Sequence, residues 1–223
     1  MLTPRYFFGD DYSAYHNYFR RQPNDVVNFQ KGDFLWELGE PFGNIYYLED
    51  GISQMYVVHE DGRKKIISFH GAGTVVPGYH QTDFKIEQSI ILIALTDITA
   101  LKFSKKVFST MFQENKELAA QVIEWYAMNI NLLIYESAHQ EYNNSLIKLC
   151  NFLHLFSKNS PNGCRIDLTQ DEISDILALN RVGVTNNLGI LRSKGIIATH
   201  RKWIEVIDCD ALKYYCSRET LCP

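Results

Sequence analysis

Arg181, Val182, Thr185 and Asn186 fall on one side of a short helical pattern, and their types suit the reading of base edges. An Arg fork is bidentate to guanine, and an Asn amide is bidentate to adenine. They lie in residues 168–197, LTQDEISDILALNRVGVTNNLGILRSKGII. Thr169-Gln-Asp-Glu172 is a capping box, so a helix starts there and turns Ile173, Ile176 and Leu177 to one face. Ala178-Leu179 is a tight corner, and Asn180 is a good cap for a second helix. That helix buries Val184, Leu188 and Leu191 and exposes the four positions above. Ser174 and Ala178 are small where two crossing helices must nearly touch. The pattern is a helix-turn-helix, whose second helix enters the DNA major groove by its N-terminal residues. A plain helical hairpin is the competing reading.

Two features favour the nucleic-acid reading. No acidic residue lies between Asp175 and Glu205, whereas Arg181, Arg192, Lys194, Arg201 and Lys202 all do. Carboxylates there would cancel the gain from counterion release. Residues 196–207 then read as two short strands around a basic turn, a wing that offers His200, Arg201 and Lys202 to phosphates. The candidate DNA-contacting set is Thr169, Gln170, Arg181, Val182, Thr185, Asn186, Arg201 and Lys202.

Other elements must carry and position this head. Residues 1–24 read as a helical lead-in rich in aromatics. From Val26 to about Phe103, short strands alternate with turns at Lys31-Gly32, Gly39-Glu-Pro-Phe-Gly43, Asp50-Gly51, Glu60-Asp-Gly62 and Gly71-Ala-Gly73. Strands at such spacing imply an antiparallel roll or barrel. Ser104 caps a helix. A longer helix is predicted over about residues 116–140, roughly 35 Å at 1.5 Å per residue. Leu118, Val122, Trp125, Asn129, Leu132 and Glu136 follow a seam spaced three and four apart, which suits pairing with a second copy. Packing on its own roll is the alternative. Asn143-Asn144 interrupts the pattern as a hinge. Residues 146–156 form another amphipathic helix, and Asn159-Ser-Pro-Asn-Gly163 is a turn. The division is therefore 1–142 and 143–223.

Composition narrows the class. The 223 residues are 46% hydrophobic and 22% charged, as in an ordinary soluble protein. A net charge of −4 argues against nucleic acid globally, but local patches decide binding. The start MLTPRYFFGDDYSAY is not a signal peptide, and the longest aliphatic run, residues 90–95, is too short to span a membrane. A cytoplasmic location is expected. Five cysteines, at 150, 164, 209, 216 and 222, lack framework or metal-site spacing and read as free thiols. A cupin-like enzyme on the roll would need a His-x-His pair with a following Glu; that pair, a Gly-x-Ser-x-Gly and a phosphate loop are all missing. No catalysis is expected.

The order roll, long helix, hinge, helix and winged helix-turn-helix resembles the Crp/Fnr family of bacterial transcription regulators. The glycine-punctuated turns look like that family's sensor roll, and Leu168-Thr-Gln-Asp-Glu-Ile173 looks like the start of its DNA-binding motif. The resemblance implies an α+β chain: a cyclic-nucleotide-binding-like β-roll of the double-stranded jelly-roll kind, a dimerisation helix at about 115–140, and a winged head. It also implies a homodimer on a palindromic operator, an effector held between roll and long helix, and RNA polymerase as a further partner.

The departures bear on the effector. Cyclic-AMP members hold the phosphate with a Gly-Glu and an Arg-Ser pair; here Pro77-Gly78 and Gln88-Ser89 stand there, without the carboxylate or the charged fork. The hydroxyl pair that meets the purine is Leu133-Ile134. Cyclic AMP is not expected. Val75, Val76, Gly78, Tyr79, Gln88, Ser89, Trp125, Tyr126, Asn129 and Leu133 are the candidate effector residues, an apolar, aromatic set suited to a small organic ligand. Haem is an alternative, with His59, His70, His80 and His139 as ligand candidates. The chain has no cysteine before Cys150, so an iron–sulfur cluster is not expected. At the groove, a Glu common in the family is Val182 and a later Arg is Asn186, so a different half-site is expected. Asn187 stands where the family is usually apolar.

Overall fold

The computed structural model describes residues 3–39, 42–159 and 164–221. It forms two compact units, Phe8–Asn129 and Ile130–Pro223 together with Met1–Phe7. Glu40 and Pro41 of the predicted Gly39–Gly43 turn, residues 160–163 of the predicted turn that begins at Asn159, and Cys222 lie outside the described residues.

The Phe8–Asn129 unit is built on two antiparallel sheets. Its strands are β1 (Phe7–Phe8), β2 (Asp25–Phe29), β3 (Phe34–Trp36), β4 (Asn44–Asp50), β5 (Ser53–Val58), β6 (Lys64–His70), β7 (Val75–Val76), β8 (Ile90–Ala94) and β9 (Ile98–Ser104). One sheet runs β1-β6-β5-β8-β3 and the other β2-β9-β4-β7, the expected roll. Ile45, Leu48, Leu92, Ile98, Leu101 and Phe103 are fully buried in its core. Gly51 makes the β4–β5 turn at φ +87°, where a Cβ would meet the Asp97 carbonyl oxygen at 2.2 Å. Only glycine fits such a site. The N-terminal lead-in is less helical than expected. Helix α1 covers only His16–Arg21, after a 3-10 turn at Ser13–Tyr15, and Phe7–Phe8 is a strand. Phe8 is fully buried in this unit, whereas Tyr6 is buried in the other, edge-on to Phe152 at 5.3 Å between centroids.

Helix α2 (Lys105–Glu114) starts at Ser104, whose Oγ accepts from the Val107 N–H at 3.2 Å. Helix α3 covers Lys116–Tyr142, about 40 Å of helix. The predicted pairing seam is corrected here. Leu118, Val122 and Trp125 are buried within the Phe8–Asn129 unit, and Leu132 is buried within the other. Asn129 donates its amide to the Trp125 carbonyl at 2.8 Å, and Glu136 accepts the Tyr6 hydroxyl. A second series, Ala120, Ile123, Ala127, Ile130, Ile134 and Ser137, is exposed instead. Its spacing of three, four, three, four and three is that of a coiled-coil seam.

In the other unit the helix breaks at Asn143-Asn144, and Asn144 Oδ1 accepts from the Ile147 N–H to start α4 (Ser145–Asn159). Then follow β10 (Arg165–Ile166), α5 (Gln170–Leu177), α6 (Arg181–Ser193), β11 (Ile197–Thr199), β12 (Ile204–Val206) and α7 (Cys209–Lys213). The small sheet runs β10-β12-β11. Phe152, Leu153, Ile173, Ile176, Val184, Leu188 and Leu191 form the core under α5 and α6. No helix of the described residues is long and apolar enough to cross a membrane.

Candidate nucleic-acid interface and sensor pocket

The interface begins with the start of α5. Thr169 Oγ1 accepts from the Glu172 N–H at 3.2 Å, and Glu172 Oε2 accepts from the Thr169 N–H at 2.7 Å. Both halves of the capping box are therefore present, and they commit the Thr169 hydroxyl to the local fold. Ala178 ends α5 in the left-handed region at φ +50°, and Leu179 donates back to the Ser174 carbonyl at 3.1 Å. This residue makes the tight corner. Asn180 Oδ1 then accepts from the Gly183 N–H at 2.7 Å and fixes the first turn of α6.

That turn presents its side chains to solvent. Arg181, Val182, Thr185 and Asn186 are all exposed, while Val184, Leu188 and Leu191 are buried. Thr185 Oγ1 lies 2.8 Å from Gln170 Oε1, so the two helices are braced at the exposed surface. Asn187 is buried, and its amide nitrogen has no partner among the described residues. The wing is the β11–β12 hairpin, closed by the His200 N–H on the Trp203 carbonyl at 2.9 Å. Arg201 and Lys202 are exposed at its tip. His200 stacks on Trp203 at 3.5 Å between centroids, and the Arg165 guanidinium also sits over the Trp203 ring, 4.6 Å from its centroid. Strand β10, which supplies Arg165, has no signal in the sequence, because two residues beside a turn are too few to show alternation.

The acid-free span in the sequence does not make an acid-free surface. Asp171, in the first turn of α5, holds Arg181 at 3.2 Å, and Glu205 approaches His200 at 3.8 Å. Both pairs are exposed and therefore weak. The Asp171 carboxylate aims the guanidinium without trapping it.

Within the Phe8–Asn129 unit, most candidate effector residues come together, but as packed core. Val75, Val76, Tyr79 and Trp125 are buried, and the Tyr126 hydroxyl donates to the Tyr79 carbonyl at 2.6 Å. A Cβ on Gly78 would meet the Tyr126 hydroxyl at 2.6 Å and Trp125 at 2.7 Å, so α3 is seated against this glycine. Gln88 is exposed and Ser89 half-buried. Leu133, which falls in the other unit, is 51% exposed.

Sequence reasoning missed two groups here. Glu87 is buried and pairs with His80 Nε2 at 2.8 Å. Burial raises the Tyr126 phenol above its usual range, and the Glu87 charge adds to that rise. The second group lies on β5 and β6. Ser53 pairs across the sheet with His70, and the Ser68 hydroxyl meets His70 Nε2 at 2.9 Å. His70 stacks on Phe8 at 5.6 Å and tilts against Trp125 at 6.3 Å. Desolvation pushes its imidazole down to about 3, so the ring is neutral. Ser53 Oγ, Gln54 Nε2, His70 Nδ1 and Trp125 Nε1 are buried without a partner among the described residues. His70 and Trp125 are candidates by residue type alone, and Ser53 and Gln54 have no signal beyond their place in a strand.

The other histidines are committed elsewhere. His59 pairs with Asp61 at 2.8 Å, and His139 is buried among Tyr135, Asn151 and Thr220. Among the described residues, no group of three or more His, Cys, Asp or Glu is placed to hold a metal ion.

Comparison with known proteins agrees with this geometry. Residues 26–115 match the family model of a cyclic nucleotide-binding domain, and residues 147–215 match that of a Crp-like helix-turn-helix domain. The global nitrogen regulator of Synechococcus elongatus is 25% identical, over 85% of this chain and 89% of that protein. The fumarate and nitrate reduction regulatory protein of Salmonella typhimurium is 24% identical, over 82% of this chain and 75% of its own length. Among solved structures, FixK2 from Bradyrhizobium japonicum superposes with a TM-score of 0.75 at 17% identity, covering 87% of this chain and 98% of that one.

Proposed function

The chain belongs to the Crp/Fnr family of transcription regulators, and from that premise we propose that it acts as a homodimer reading a palindromic operator. The observation that carries this is the capped first turn of α6, with Arg181, Val182, Thr185 and Asn186 turned outward beside a basic wing. Gln170 braces α6 through Thr185, Thr169 caps α5, and both lie next to the phosphates. Two such helices must reach half-sites about 34 Å apart, which requires a second copy. The exposed stripe Ala120, Ile123, Ala127, Ile130 and Ile134 supplies the pairing face. We assign the functional division to the Asn143-Asn144 break, the cell compartment to the cytoplasm where duplex DNA lies, and RNA polymerase to the further partner.

The effector is taken up by the roll against Trp125, with Val75, Val76, Gly78, Tyr79, Ser89, Tyr126 and Asn129 around it. Unpaired buried donors are costly, and a ligand carrying acceptor atoms relieves them. A cyclic nucleotide fits poorly. Glu87 places a carboxylate near Tyr126, and Gln88 offers no charged fork to a phosphate. The favoured class is a small, largely apolar organic molecule with one or two acceptors. Haem is disfavoured because His59, His80 and His139 already have partners and His70 is enclosed by packed aromatic rings.

The test is selection of an operator from random duplexes, followed by titration. Arg181→Ala is expected to weaken that operator by about 1–3 kcal/mol and to relax the preference at one base pair in each half-site. Equal binding by the variant removes the base-contact role. Lys202→Ala is expected to weaken all sequences alike and to reduce the slope of log affinity against log salt by about one for each phosphate it neutralised. An unchanged slope would detach the wing from the backbone.

A further inference from the structure

Cys164 and Cys209 are 45 positions apart in sequence, yet their sulfurs lie 3.9 Å apart. Both backbones are fixed. The Cys164 carbonyl accepts from the Val206 N–H at 3.0 Å, which holds it beside β12. Cys209 opens α7, capped by Asp208 through its bond from the Ala211 N–H at 2.8 Å. A disulfide is about 2.0 Å long, so the sulfurs must close by about 1.9 Å, which rotation about χ1 can supply. Cys164 is exposed and Cys209 half-buried, so small thiols and disulfides reach them. The other two described cysteines differ. Burial pushes both the Cys150 and the Cys216 thiol up to about 12, which leaves them poor nucleophiles.

We propose that Cys164 and Cys209 are a reversible dithiol–disulfide pair that covalently closes the chain around its helix-turn-helix. The bond would enclose α5, α6, β11 and β12 in one loop. It would also sit next to Arg165, whose stacking on Trp203 holds the wing. The oxidant is a low-molecular-weight disulfide, RSSR. The exposed Cys164, as thiolate, attacks one sulfur and expels RS−, which takes up a proton to become the first RSH. Cys209, as thiolate, then attacks the mixed disulfide at Cys164 and expels the second. Two protein thiols lose two electrons and two protons, and RSSR becomes two RSH. Burial and the neighbouring Cys164 raise the Cys209 thiol, while Lys213 pulls it back. A thiol of that kind exchanges with disulfides at moderate rates and is a poor peroxide trap. The output is stability of the head, because the bond restricts the unfolded chain over a long loop.

The experiment equilibrates the full chain with oxidised and reduced glutathione at set ratios, maps free thiols by alkylation and mass, and follows thermal unfolding. Under oxidising ratios, peptides carrying Cys164 and Cys209 are expected as one linked species, two hydrogens lighter, in a monomolecular bond. The head's thermal midpoint is expected to rise by roughly 10 °C and to return on reduction. Cys164→Ser and Cys209→Ser each abolish the link and the rise, and Cys216→Ser keeps both. Glutathione adducts without closure, a bond between two chains, persistent free thiols, or closure without a higher midpoint would each overturn the proposal. None of these readouts depends on DNA binding.

Discussion

A chain carrying Ile130→Glu and Ile134→Glu together is expected to sediment at the single-chain mass of 25.8 kDa and to lose operator affinity by about 10²–10⁴-fold. The two isoleucines are 53% and 65% exposed, so glutamate at either site strains nothing inside one chain. Their cost arises only when another apolar surface must desolvate them. In a parallel pair, four glutamates would face one another along the seam, and repulsion adds to the lost burial of about 1.5–3 kcal/mol per fully covered side chain. The affinity falls because the second half-site is then bound from bulk solution instead of at high effective concentration. An unchanged far-ultraviolet circular dichroism spectrum and a retained cooperative thermal transition separate this outcome from misfolding, since loss of the partner alone lowers the midpoint without abolishing the transition. A variant that remains dimeric with full operator affinity would remove α3 as the pairing element.

That experiment is aimed at Ile130 and Ile134 because the sequence points elsewhere. Helix α3 carries two apolar series of the same spacing, one through Leu118, Val122, Trp125 and Leu132 and one through Ile123, Ala127, Ile130 and Ile134. Periodicity identifies each as a stripe but not which one the chain itself covers. The larger Trp125 takes the interior, where Phe8 and His70 receive it. The winged head was legible for the opposite reason. Its determinants are local: Thr169 with Glu172, Asn180 with Gly183, and the small Ala178 at the corner. What escaped reading is non-local. Asp171 reaches Arg181 across a turn of chain, Glu87 becomes the buried charge near Tyr126, and Cys164 meets Cys209 through the order of strands in a small sheet. No spacing rule carries those distances.

Acidification from pH 7 to pH 4.5 is expected to cost the roll about 2–3 kcal/mol through His70 alone. In an unfolded chain this imidazole titrates near 6.5, whereas desolvation in the fold pushes it down to about 3. Between those values the unfolded state binds a proton that the folded state refuses. Stability from His70 is therefore complete above about pH 6.5 and falls steadily as pH drops toward 3. Among the described residues, Phe8, Trp125, Ser53 and Ser68 beside the ring are all uncharged and offer the imidazolium no counter-charge. Urea midpoints followed by tryptophan fluorescence read the effect at the two pH values. His70→Gln keeps a polar group but no titration, so its acid loss should be smaller by the stated amount; the carboxylates and His139 are common to both proteins and cancel. An equal loss in variant and parent would mean that the ring is already protonated in the fold or reached by water. The same comparison probes the effector site. A ligand that accepts from His70 Nδ1 and Trp125 Nε1 stabilises the neutral ring further and carries the onset of acid unfolding to lower pH, and His70→Gln should erase that displacement.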